Sequence, residues 1–356
     1  MRRLSLLVWI CGPLSAMGQL WVSDDARGLW KLDVQSGAAT KVGTMPASMN
    51  DIAFAPWGDL YGIAHPDDIY RIKLDEIDGH GNIPAYLIGP LNIYSSGPLA
   101  GRREVKSLTF GPDGNAYFAT EEGLRFSGGV FVAPTGNLGV ITNIEELRGG
   151  IVGDIGEGNG GDLAFVGNTL YMNSCDVTGF TLVCSTTRDQ ELVRIDPPVG
   201  EGVVLGSIDF PNVFGLAAVE DTLYGVTHQG ELLRINTLSG QGTQLATIVP
   251  LLRALGATTE VVFADYNGNG SVEQADLDLV LLNWGKPAAQ IPVTWTRQRP
   301  TTGAVDQSEL DAILLSWGVR SPRTLPMMGA SVSELSTWQL ALPLIVFLTG
   351  ISKRRV

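Results

Sequence analysis

The sequence predicts an all-β fold over about two thirds of its length, followed by a small all-α unit, and three observations carry that expectation. One phrase, plainest as NDIAFAPWGDLYGIAH (50–65) and FGLAAVEDTLYGVTH (214–228), returns through residues 19–263. Glycine is abundant, 44 residues in 356, while only 17% of residues are charged, the balance of many short strands joined by tight turns. A different phrase, ending in Trp-Gly each time, then occurs twice between 264 and 318 with apolar residues at helical spacing. The first repeat, with its four-strand unit, predicts a β-propeller of about five blades.

Residues 1–18 carry Arg2 and Arg3, an apolar run and the small-residue ending Ala16-Met17-Gly18, the three-part layout of a secretory signal peptide with cleavage before Gln19. Export fits the two cysteines that remain, Cys175 and Cys184, which can close a hairpin loop as a disulfide; two unpaired thiols are the alternative. A net charge of −13 without an internal basic run argues against nucleic acid as a partner and favours cations.

Within 19–263 the intermediate copies are KSLTFGPDGNAYFATE and GDLAFVGNTLYMNSC, and Ile52, Leu108, Leu163 and Leu216 align at spacings of 56, 55 and 53 residues. Each copy supplies an inner strand, a Gly- or Asp-rich turn, a Tyr-bearing second strand and then an outer hairpin such as DIYRIKLD or GELLRINTLSG. The chain opens on a second strand, LWVSDD, so a later segment must supply the first blade's inner strand. EVVFAD (260–265) matches DIAFAP in register and is expected to close the ring; otherwise 251–263 is a linker.

In a propeller the starts of the inner strands and the connections after the second strands share one face. The repeat places Asp51 and Asp162 at inner-strand starts, and His65, Glu121, Cys175 and His228 just after second strands. Such a ring can hold a metal or a glycan, and propeller lactonases resemble this layout in using inner-strand acids to hold calcium. No catalytic residue is assigned, because Gly-x-Ser-x-Gly, His-Glu-x-x-His and phosphate-loop motifs are absent from the sequence.

After the repeat, Asp265, Asn267, Asn269, Gly270, Ser271, Glu273 and Asp276 occupy positions 1, 3, 5, 6, 7, 9 and 12 of an EF-hand-type calcium loop. Alternate oxygens wrap a hard cation, Gly270 permits the turn, Ser271 offers its carbonyl and the last acid closes the shell from the following helix. The echo 33 residues on pairs Leu277, Leu281 and Trp284 with Leu310, Leu314 and Trp317, but puts Gln298, Pro300 and Thr302 at ligand positions and keeps only Glu309 at position 12. The two helices are expected to bury Leu277, Val280, Leu281 and Trp284 against Leu310, Ile313, Leu314 and Trp317. A loop and helix repeated twice, with Asp at position 12, resembles the type I dockerin. That resemblance implies a calcium-binding unit over 264–320 and a cohesin-like or other envelope partner, touched through Gln274-Ala275 and Gln307-Ser308.

The remaining segment, 321–356, holds an apolar stretch from Trp338 to Ile351 followed by Lys353, Arg354 and Arg355. It resembles the PEP-CTERM sorting tails of exported bacterial proteins, keeping the glutamate and Ser-Thr of Val332–Thr337 but neither proline. The expectation is an exported, non-catalytic binding or assembly protein of the cell envelope that meets the membrane only through this tail. The alternative is a calcium-dependent lactonase or glycan-active hydrolase borne on the propeller.

Overall fold

The computed structural model describes residues 19–92, 104–121, 125–127, 130–132, 135–174, 189–219, 221–260, 264–267, 269, 271–287, 290–295, 300 and 303–318. Five four-stranded antiparallel sheets form the propeller. The chain enters with β1 (Gln19–Asp24), β2 (Gly28–Asp33) and β3 (Ala39–Thr44), the outer three strands of blade 1. Blade 2 is β4 (Asp51–Phe54), β5 (Leu60–Ala64), β6 (Asp68–Ile72) and β7 (Ala85–Pro90). Blade 3 is β8 (Glu104–Phe110), β9 (Ala116–Glu121), β12 (Asn137–Asn143) and β13 (Arg148–Asp154), with the short hairpin β10 (Arg125–Ser127) and β11 (Val130–Val132) inserted after its second strand. Blade 4 is β14 (Asn159–Val166), β15 (Thr169–Ser174), β16 (Glu191–Ile195) and β17 (Gly202–Ser207). Blade 5 is β18 (Val213–Val219), β19 (Thr222–Thr227), β20 (Glu231–Ile235) and β21 (Gly242–Thr247).

The ring closes, but not with the segment expected. β22 (Ala254–Thr258) pairs antiparallel with β1, Val22 opposite Ala257, and packs between β18 and β4 as the missing inner strand. Residues 260–265 match other inner strands better by residue type, yet the place beside the axis is too narrow for them. A Cβ on Gly256 would strike the Asp51 carboxylate, and a Cβ on Gly215 would lie 2.8 Å from the Ala257 Cβ. The closing strand is therefore built of small residues.

The core lies between blades rather than within one layer. Second-strand aromatics of one blade meet an inner-strand Phe of the next: Trp21 with Phe54 at 5.3 Å, Tyr61 with Phe110 at 5.6 Å and Tyr117 with Phe165 at 5.3 Å between ring centroids. In every blade the register shifts between the third and fourth strands, a bulge that twists the outer strand toward its neighbour. The turns that follow third strands reach the preceding blade there. Gly242 donates to the Ile208 carbonyl at 2.9 Å, Gly202 to Ile155 at 3.0 Å and Ala39 to Val249 at 2.8 Å, so blade seams carry backbone hydrogen bonds as well as apolar contact.

Two helices follow the ring, α1 (Gln274–Leu282) and α2 (Gln307–Ser316). Their common core is Ala264, Tyr266, Val272, Val280, Ile291, Trp295, Val305 and Ile313, with Leu277 and Leu310 packed against it. The expected faces are thus half right. Leu281, Trp284, Leu314 and Trp317 remain 53%, 46%, 63% and 50% exposed. Segments between and around the helices fill the place intended for them: Trp295 packs against Tyr266 at 4.6 Å with the rings tilted by 39°, and the Tyr266 hydroxyl donates to the Glu309 carbonyl at 3.2 Å.

Candidate functional sites

At the propeller axis the five inner strands place Asp51, Ser107, Asp162, Gly215 and Gly256 at one level, each just before Ile52, Leu108, Leu163, Leu216 and Ala257. Two carboxylates serve all five strands. Asp51 accepts from the N–H groups of Ile52 and Leu108, both at 2.7 Å. Asp162 accepts from Leu163 and Leu216 at 2.6 Å and from Ala257 at 3.0 Å. Both acids are 0% exposed and hydrogen-bond each other. Burial raises both above the ordinary carboxylate range, Asp162 to about 7, and the neighbouring Asp162 charge raises Asp51 further. The sequence places these two at the mouth of a ligand face; the structure places them inside, committed to backbone.

Around them is a buried polar plug. Ser107 Oγ accepts from Asn159 Nδ2 at 3.1 Å and from Ala119 N at 3.2 Å. Asn173 accepts from Asp162 N at 3.0 Å and donates to the Val213 carbonyl, while Gln190 Nε2 donates to the Gly160 carbonyl at 3.1 Å. These side chains supply hydrogen-bond partners to buried backbone groups beside the axis.

The residues after second strands lie elsewhere. His65 is exposed, its Nδ1 3.2 Å from Glu104 Oε1. His228 packs edge-on against Phe214 at 5.6 Å, with Nδ1 3.3 Å from the Ala254 carbonyl oxygen. Glu121 ends β9 opposite Glu104 in register. Cys175 and Cys184 lie outside the described residues. Sequence reasoning missed two members of this set: Glu104, and Asp25, which stands where His65 and His228 stand in their blades and lies 3.7 Å from Arg253. The missing signal was the first blade's inner strand, without which Asp25 has no frame. Among the described residues, no group of three or more His, Cys, Asp or Glu side chains is gathered as a metal centre.

The loop before α1 joins by hydrogen bonds five of the six residues assigned to calcium, although its acids Asp265, Glu273 and Asp276 are not drawn together as a metal centre. Asp265 Oδ1 and Asn267 Oδ1 both accept from Asn269 N, at 3.0 and 2.9 Å, and Asn269 Oδ1 accepts from Ser271 N at 2.9 Å. Asp276 reaches back from the helix to accept from Asn267 N and Glu273 N, each at 3.0 Å, and Glu273 Oε1 accepts from Asn269 Nδ2 at 3.1 Å. Asp265 and Asp276 are 1% and 0% exposed; burial pushes the Asp276 carboxyl up, and the Asp265 charge adds to that. A wrapped loop of oxygen side chains with two buried acids close together suits a divalent cation: hard oxygen donors match calcium, and its charge would offset the repulsion between the acids.

The second repeat explains its own survival. Asp306 N donates to Glu309 Oε2 at 2.8 Å and Ser308 N to Asp306 Oδ1 at 2.8 Å, a capping box that starts α2 as Glu273 and Asp276 start α1. Glu309 therefore has a helix-capping task that needs no metal. The two loops are also joined, Gly285 N donating to the Val305 carbonyl at 2.8 Å and Val305 N to Lys286 at 3.0 Å.

These features define a class: a five-bladed β-propeller whose axis is sealed by two acids, carrying a two-helix unit with a capped, oxygen-rich loop. No protein-family profile matches the sequence, and no curated relative does. Among solved structures the chain is similar to one described as "Crystal structure of Nidogen/Laminin Complex", at 13% identity and a TM-score of 0.42, covering 68% of this chain and 98% of that one.

Proposed function

We propose that this chain is an exported, non-catalytic binding or assembly protein of the cell envelope, in which the propeller is a rigid recognition body and the two-helix unit is a calcium-dependent docking element. The observation that carries this reading is the loop 265–276. Asp265, Asn267, Asn269, Glu273 and Asp276 with the Ser271 carbonyl supply a calcium shell, and Asp276 couples that shell to the first turn of α1. What calcium would order is the exposed apolar set Leu281 and Trp284 with its echo Leu314 and Trp317. Exposed Trp is the kind of anchor that protein interfaces use, and the exposed leucines add apolar surface beside it in sequence.

Export rests on the leader and tail patterns. The first described strand begins at Gln19, so cleavage there would leave every described blade strand whole. The hydrolase alternative loses ground because its calcium would have to draw Asp51 and Asp162 away from five N–H donors. A glycan or protein on the open face, near His65, Glu104, Asp25 and His228, remains the propeller's proposed cargo.

The test is retention of the purified full chain on native envelope material, with calcium and with chelator, for wild type and for Trp284→Ala/Trp317→Ala. Retention that needs both calcium and the two tryptophans is expected. Equal retention in chelator would contradict the docking role.

A further inference from the structure

We infer that Asp51 and Asp162 hold one shared proton at the propeller axis, and that this proton latches the ring-closing strand β22 so that the seam loosens when the proton leaves. The geometry divides the labour unequally. Asp162 accepts three backbone N–H groups and Asp51 accepts two, so Asp162 is the better-stabilised anion and the proton resides on Asp51, whose O–H donates to Asp162. One of the three donors to Asp162 is Ala257, the centre of β22.

Otherwise that strand is held by its ladder with β1 and by packing between β18 and β4. Its axial residues are Gly256 and Ala257, and among the described residues it also has the bonds Ser23 Oγ to the Gly256 carbonyl at 3.4 Å and Phe54 N to Thr258 Oγ1 at 3.4 Å, with His228 Nδ1 3.3 Å from the Ala254 carbonyl oxygen. The close approach of Gly256 to the Asp51 carboxylate makes the pair itself part of the wall against which β22 rests. At the equivalent position β8, β18 and β22 carry Ser107, Gly215 and Gly256, none of which titrates, and among the groups acting most strongly on either acid the charged one is its partner. Loss of the proton sets two like charges side by side in a buried axis.

The sign follows from linkage. Both folded-state values are raised, so the stabilisation is fully present below the unfolded carboxylate value of about 4 and is lost as pH climbs through the folded values, about 7 for Asp162 and well above the ordinary carboxylate range for Asp51. For one proton the folding equilibrium falls about tenfold per pH unit across that window.

The experiment uses the full chain at constant calcium, comparing wild type with Asp51→Asn, which carries a permanent donor in place of the shared proton. Infrared spectra of ¹³C-aspartate-labelled protein, which separates Asp from Glu260, report a protonated carboxyl, and amide exchange reports β22. We expect an aspartic-acid band at neutral pH that fades in alkali together with protection in Ala254–Thr258, while β14 keeps its protection. Asp51→Asn should lack the band and show protection in β22 that does not change with pH. A wild type with no such band at neutral pH overturns the proposal even if the variant fails to fold, and so does a band that fades while β22 stays protected.

Discussion

Gly256 lacks a side chain because the Asp51 carboxylate already occupies that space, and at this scale the axis is a volume exchange: two acids in two blades, Ser or Gly in the other three. Replacing Gly256 with Ala should cost about 1–3 kcal/mol, the usual range for overpacking, whereas Gly79→Ala, with nothing within 4 Å of the added methyl, should leave the melting temperature unchanged. Glu260 gives a second test. Burial pushes its carboxyl up to about 7 against the opposing Lys31 charge, and its Oε1 is buried without a hydrogen-bond partner. Its raised value means stability lost as pH rises, so Glu260→Gln should raise the melting temperature above about pH 7 and do little near pH 4. The positions of Asp51 and Asp162 were legible from the repeat. Their role was not, because only the closed ring brings the N–H groups of Leu108, Leu216 and Ala257, from other blades, to their oxygens.

Elements show the same division between pattern and context. The four blades that read through in sequence were legible because Tyr61, Tyr117, Tyr171 and Tyr224 keep their place in each second strand. The closing strand was misplaced because EVVFAD looks like an inner strand, while ALGAT, which is one, is shaped by what its neighbours project into the axis. A chain ending at Arg253 should therefore melt far below one ending at Glu260, measured without calcium; equal melting would contradict closure by β22. In the helical unit, spacing grouped Leu and Trp on one face without showing that Trp295 and Ile291 would take half of it. Ile313→Ala, at a fully buried position, should cost about 2–5 kcal/mol, while Trp317→Ala should leave stability nearly unchanged and weaken docking.

For the whole molecule, a ring sealed by backbone hydrogen bonds at its axis and seams is a rigid platform, and the chain leaves its closing strand directly into the calcium-type loop only a few residues later. The repeats are unequal in what they offer the proposed metal: Asp276 caps α1 and would close the calcium shell, whereas Glu309 caps α2 beside positions occupied by Gln298, Pro300 and Thr302. Calorimetric titration of the full chain with calcium tests this most directly. The expected result is one site with a dissociation constant on the order of 10⁻⁴ M, the regime of extracellular modules, abolished by Asp265→Ala and untouched by Gln298→Ala. Two sites, or no heat of binding at millimolar calcium, would contradict it.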